Sequence, residues 1–264
     1  MLTTHEGSIA LSELKTTWGN LLNNSLIAEQ TLILVTGASR GLGRQIAVSC
    51  AARGYRLALV ARDQDSLNDL AISLKNDHGC EAGVFAYDLA EAGMAVHCID
   101  SVQAAMGPVN VLVNNAGTGW YKPFTEHTVS EHDRMIDLNF RAVVHLTHAV
   151  LPSMLERKQG HVINIASDLS HRALGNMAVY TATKHAMRGL SHSLSQELRP
   201  QGIKVTQINP GMIDSSFNNS TEGNMDEADA LKTVPLAELI VQVMEQPGHQ
   251  MVDEIDVHAM GQEY

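Results

Sequence analysis

Three cysteines, Cys50, Cys80 and Cys98, are too few and too far apart for a disulfide frame, and they form no C-x-x-C pair. They read as small buried hydrophobes of a reducing compartment. No apolar run approaches the roughly eighteen residues a membrane-spanning helix needs. Cations are also short: 18 Lys and Arg stand against 29 Asp and Glu, a net charge of -11. That balance excludes nucleic-acid binding by bulk phosphate attraction. A small phosphate-bearing ligand stays open, because it needs only local cations and backbone amides. The first 30 residues lack the basic start and apolar core of a signal peptide, and Glu6 and Glu13 do not suit a transit peptide. A cytoplasmic protein is the expectation. Among 13 histidines, His145 and His148 could share a helix face, yet no H-E-x-x-H and no cysteine accompanies them. No metal site is therefore expected.

What is present is alternation. Short apolar runs at 31–37, 56–61, 81–89, 109–115, 161–167, 204–211 and 251–260 are separated by helical patterns near 41–53, 64–76, 90–106, 130–157, 177–199 and 235–246. Several runs are apolar at consecutive positions, as in central parallel strands covered on both faces. The pattern predicts an α/β chain with a doubly wound parallel sheet of about seven strands and helices on both faces. No composition shift divides residues 31–264, which read as one domain. Ahead of it, residues 1–30 form an extension in which Leu11, Leu14, Trp18 and Leu21 fall on one face of a short helix, suited to a packing arm. Residues 212–233 are polar and acidic, and a loop of that length in a compact domain reads as a substrate lid or a mobile segment.

The first apolar run leads straight into "TGASRGLGRQIAVSC", with Gly37, Gly41 and Gly43 at the strand-to-helix turn. Glycines there permit a tight turn, close backbone approach to a pyrophosphate and close helix–strand packing. The free amides of the following helix complete a dinucleotide site. "TGASRGLG", followed in order by "NNAG" at 114–117, Ser167 and "YTATK" at 180–184, resembles the short-chain dehydrogenase/reductase family, with its single-domain Rossmann-like fold. The likeness spans about 230 residues, all of its motifs in order. It implies that Ser39, Leu42, Leu89, Asn115, Ala116, Gly117, Pro210, Gly211 and Ile213 lie along a nicotinamide cofactor, that Asp88 meets its adenine, and that Ser215 stands where the family has a threonine facing the carboxamide.

The end of the second strand selects the cofactor, since a carboxylate there binds a free ribose 2′-hydroxyl and arginine a 2′-phosphate. The chain reads "LVARDQD", so Ala61 takes the terminal position and Arg62 follows it. Asp63 is displaced by two places. Arg40 sits in the glycine turn where NADP-preferring members of the resembled family carry a basic residue. Two cations beside one displaced aspartate favour NADP(H) over NAD(H).

Tyr180 and Lys184 lie one helical turn apart, on one face. A phenol is protonated at neutral pH and can donate, and a neighbouring ammonium would stabilise its phenolate. The resemblance gives Lys184 a second task, binding the nicotinamide ribose. Ser167, thirteen residues before Tyr180, falls at the family's interval for the serine that orients the substrate oxygen. Asn139 matches the family's asparagine that places a water in a proton relay. Trp120, Tyr121, Asp168, Met212 and Phe217 are expected to border the substrate, with Asp168 either an anion in the pocket or a local cap.

The expected activity is NADP(H)-dependent interconversion of a ketone and a secondary alcohol, running as a reductase, with a small-molecule substrate. Within the enzyme class the alternative is an acyl-carrier ketoreductase, which would need a basic patch at the cleft. A non-catalytic NADP(H) sensor on the same fold is a third reading, disfavoured by the retained tyrosine and lysine. The resemblance implies a homodimer or homotetramer formed through the helices at 130–157 and 177–199.

Overall fold

A computed structural model describes residues 28–217 and 222–262. The expected arm at 1–30 lies outside them, apart from a single turn at Ala28–Gln30. Seven strands form one parallel sheet: β1 (Leu32–Thr36), β2 (Arg56–Ala61), β3 (Ala82–Ala86), β4 (Val111–Asn114), β5 (Gly160–Ile165), β6 (Ile203–Pro210) and β9 (Glu254–Val257). Their spatial order is β3-β2-β1-β4-β5-β6-β9, and every neighbouring pair is parallel. The chain runs outward from β1 to β3, then returns to place β4 on the other side of β1. Such a reversal opens a crevice beyond the carboxyl ends of the strands.

Alternation along β1 shows why the strands are apolar throughout. Ile33 and Val35 point into one core, with Ile46 of helix α1 (Gly41–Ala51), Leu67 and Leu70 of α2 (Gln64–His78) and Ile240 of α7 (Thr233–Met244). Leu32 and Leu34 point into the other, with Ile99 of α3 (Met94–Met106), Leu146 and Val150 of α5 (Ala142–Arg157) and Leu198 of α6 (Ala178–Leu198). A two-sided core needs both residue sets apolar, which erases the period-two pattern of a half-solvated strand.

Helix ends follow local chemistry. Asp63 caps α2, accepting from the Ser66 amide at 3.1 Å and from the Ser66 hydroxyl at 2.6 Å. Thr128 and Glu131 form a reciprocal capping box at the start of α4 (Val129–Ile136). Between α4 and α5 the chain makes one π-helical turn, Asp137–Arg141, an insertion common at functional sites.

Residues 212–233 carry secondary structure that their composition did not announce. Ile213–Asp214 (β7) pairs with Leu231–Lys232 (β8), and Lys232 meets the Asp214 carboxylate at 2.7 Å. The expected lid is thus tied at its root. Its polar composition masks these two-residue strands, which are too short for any period.

At the far edge, Glu254 of β9 gathers three partners from two elements, α6 and β6. It accepts from Arg188 Nε at 3.0 Å, His192 at 3.0 Å and Asn209 Nδ2 at 2.7 Å. Burial works to raise its pKa, but the Arg188 and Asn209 donors and nearby cationic partners outweigh that and bring it to about 2 from the ordinary 4.5. A depressed carboxylate contributes stability that is full above its unfolded value and lost as pH falls through the folded one. Acid melting between about pH 4.5 and pH 2 should therefore include this group, and Glu254→Gln should flatten that part of the stability–pH curve. An unchanged curve would remove Glu254 from the acid response.

Candidate active site

The glycine turn is built by mutual contact. Gly37 has φ +67° and Gly41 φ +54°. Gly43 has ordinary φ but no room: a methyl there would run into the Gly37 carbonyl and Asn115 Nδ2. Asn115 braces the turn by donating to the Thr36 carbonyl at 2.9 Å, while Thr36 Oγ1 accepts from the Asn115 and Ala116 amides at 2.9 and 3.0 Å. The side chain expected at the cofactor is thus engaged in holding strand ends β1 and β4 together.

A cleft of about 820 Å³ runs from this turn across the carboxyl edge of the sheet. Its phosphate end is walled by Gly37, Ser39, Arg40, Gly41, Leu42 and Gly43, with Arg62 beyond β2. Asp63 also borders it, but its carboxylate is engaged in the α2 cap. Asp88 and Leu89 follow, then Ala116 and Gly117, and finally Pro210, Gly211, Ile213 and Ser215. Every residue expected along a dinucleotide thus faces one cavity. Two features fit such a ligand: the turn is cleared of side chains where Gly43 packs, and α1 opens toward it with no side-chain cap on its amides. Asp88 does not stand alone, because Arg134 of α4 donates to both its oxygens at 3.0 Å.

At the other end Ser167, Tyr180 and Lys184 share the wall. Ser167 follows β5, and α6 carries the other two. The pKa of Tyr180 is pushed up to about 12, foremost by burial and further by the Asp168 charge, against the lowering effect of the Ser167 hydroxyl. The expectation that Lys184 lowers this phenol is corrected. Lys184 is itself buried, donates to the Ile165 carbonyl at 3.0 Å, and is pushed down to about 7 by that burial. Its Nζ lies 5.5 Å from the phenol ring centroid. Desolvation weakens the amine's hold on its proton, and burial of the phenol dominates.

Two expected residues stand elsewhere. Asn139 lies fully buried in the π turn, donating to the Thr118 carbonyl at 2.8 Å and accepting from the Thr118 amide at 2.8 Å. It also donates to Thr183 Oγ1 at 3.3 Å. Its side chain thereby ties the Thr118 backbone to Thr183 of α6. Trp120 packs with Met135 and Leu169 against Tyr180 and does not line the cleft. Tyr121, Asp168, Met212 and Phe217 do line it. Asp168 is both an anion in the pocket and a locally paired group: Arg172 Nε donates to it at 3.1 Å.

Sequence reading missed Arg134, Arg172 and Gln262, all on the cleft wall. None lies in a motif, and each reaches the cleft only through folding. His171, Glu254 and Asp256 come within 4.8 Å of one another. Arg188 already donates to both Glu254 oxygens, so that cluster is bound up in internal pairs. Among the described residues no helix is long and apolar enough to cross a membrane.

Comparison with known proteins agrees with this geometry. The sequence model of the family described as "short chain dehydrogenase" matches residues 31–226. An uncharacterized oxidoreductase of Staphylococcus epidermidis is 32% identical over 229 residues, 87% of this chain and 97% of that protein. An alcohol dehydrogenase of the archaeon Thermococcus sibiricus, solved with 5-hydroxy-NADP, superimposes with a TM-score of 0.84 at 31% identity, covering 89% of this chain and 98% of that one. A metagenomic short-chain oxidoreductase in complex with NADP gives 0.77 at 31% identity, covering 88% and 98%. A serine dehydrogenase complexed with NADP+ gives 0.81 at 28%, covering 89% and 97%. With its doubly wound sheet, its glycine turn and a family match over most of its length, the chain belongs to the short-chain dehydrogenase family, as an NAD(P)-dependent oxidoreductase acting on CH–OH groups.

Proposed function

We propose that this chain is an NADP(H)-dependent carbonyl reductase, interconverting a ketone and a secondary alcohol. The observation that carries the reading is the convergence of Ser167, Tyr180 and Lys184 on the wall of one cleft whose other end is the glycine turn. The nicotinamide, when bound, supplies or takes the hydride. Tyr180 then holds the proton at its phenol oxygen. With a pKa about 12 it is protonated throughout the physiological range and serves as the acid for a developing alkoxide. That protonation state favours the reductive direction. Ser167 meets the same oxygen, and Lys184, buried behind them, would hold the ribose hydroxyls. Asn139 supports the site from below by fixing Thr118 and Thr183.

The preference for NADP(H) rests on Arg40 and Arg62, both exposed side chains on the phosphate end, with Asp63 engaged elsewhere. Its support includes the NADP-bound neighbours. The substrate is a small carbonyl compound with an apolar body, because Tyr121, Leu174, Met212 and Phe217 edge the cleft. Glu222, Asp226, Glu227 and Asp229 follow in the lid, where an acidic acyl carrier would be repelled.

The test is cofactor choice over a panel of ketones, quinones and acyl thioesters. Wild-type enzyme should prefer NADPH, and Arg40→Ala/Arg62→Ala should reduce that preference about 100-fold, from two charge-assisted contacts of about 1.5 kcal/mol each. An NADPH preference that survives the double substitution would overturn the arginine assignment. A wild type that oxidises NADPH with none of the panel would overturn the carbonyl reading.

A further inference from the structure

The hydroxyl proton of Ser167 is already committed before any substrate arrives. Paired with the Arg172 guanidinium, the Asp168 carboxylate serves as acceptor, and the serine hydroxyl donates to its Oδ1 at 3.0 Å. The Ser167 oxygen accepts from the Leu169 amide at 3.2 Å. Asp168 is held in turn through Oδ2, which accepts from Arg172 Nε at 3.1 Å and from Gln262 Nε2 at 3.0 Å. Asp168 is buried, with Arg172 as its charge partner.

An incoming neutral carbonyl competes poorly with Asp168 for the serine proton. Bonds to an ionised acceptor are roughly twice as strong as neutral ones. As hydride arrives, the substrate oxygen acquires negative charge and becomes an acceptor of the same kind as Asp168. Resting on the carbonyl-reductase reading above, we propose that Asp168 is a positioning residue: it withholds the Ser167 proton from the ground-state carbonyl and releases it to the developing oxyanion. Ser167 only reorients its O–H; the proton that ends on the alcohol comes from Tyr180, and the hydride from the nicotinamide. A bond made only as charge develops lowers the barrier without tightening ground-state binding.

The test is the split between carbonyl KM and kcat at saturating NADPH. Asp168→Ala/Arg172→Ala removes both charges together and frees the serine proton. Carbonyl KM should fall about fivefold, with kcat falling in step, because the bond already exists in the ground state. Asp168→Asn keeps the side chain's shape with a weaker, neutral acceptor and should move KM the same way by less. In a Ser167→Ala background the double substitution should leave carbonyl KM where Ser167→Ala alone sets it. A carbonyl KM that rises or stays constant in both variants overturns the proposal, as does an equal shift without Ser167. An unchanged KM for NADPH marks the variants as intact. If Tyr180→Phe proves as active as wild type, the underlying site reading falls and this assignment with it.

Discussion

Tyr180→Phe should lose about 1,000-fold or more in kcat while binding NADPH as the wild type does. The substitution removes one oxygen and leaves the ring, which packs with Met135 and Leu169 and lies 6.0 Å from Phe217 between centroids. Stability should therefore change little, and the loss reports proton donation, which is worth about 100- to 10,000-fold in general acid catalysis. The direction of the phenol shift adds a second readout. Reduction uses the protonated phenol, so its rate should not decline through Tyr180 between neutral pH and the approach to about 12. Alcohol oxidation uses the phenolate and should rise with pH over the same span. Steady-state rates of both directions against pH, with the phenylalanine variant as blank, decide it. Retention of most of kcat in that variant would show that another group supplies the proton.

Gly43→Ala should cost more than any other single methyl in the cleft. Its Cβ would meet the Gly37 carbonyl carbon at 2.8 Å, with the carbonyl oxygen and Asn115 Nδ2 closer still. None of these can move alone. Gly37 is locked in its left-handed conformation, and Asn115 is tied to the Thr36 carbonyl. Overpacking of this kind costs about 1–3 kcal/mol against a total of about 5–15, and the strain falls on the backbone amides that face the phosphates. We expect a lowered Tm and a loss of cofactor affinity of at least about 100-fold. Gly41→Ala is the contrast: its Cβ would have open contact at 3.5 Å from Ser215, so only the cost of φ +54° remains, about 1–2 kcal/mol. Fluorescence titration with NADPH and thermal melts of both variants check the order. If Gly41→Ala proved the more damaging, backbone conformation rather than crowding would govern the turn.

Much of the fold was legible because parallel strands buried on both faces must be apolar at consecutive positions. All seven main strands were anticipated, the central ones for that reason, while β3 and β9 at the edges are only partly buried. The glycine turn was legible because only glycine fits it, and the Tyr180–Lys184 pair because helical spacing alone puts both on one face. What escaped was non-local. Trp120 looked like a pocket residue and packs behind Tyr180. The β7–β8 pair joins residues eighteen positions apart through two-residue strands that no periodicity marks.

By itself the sequence determined which groups are present and which are neighbours along one strand, turn or helix, since those relations follow from backbone periods of two and 3.6 residues. Charge states and hydrogen-bond roles belong to the tertiary structure. Burial, a property of the whole packed chain, raises Tyr180 and lowers Lys184, so the lysine that seemed to tune the phenol holds its proton less firmly beside it. Arg172 and Gln262, the latter 94 positions from Asp168, converge on one carboxylate and thereby fix which way the Ser167 proton points. No local rule encodes that direction, because it depends on which side chains folding brings within 3 Å of an oxygen.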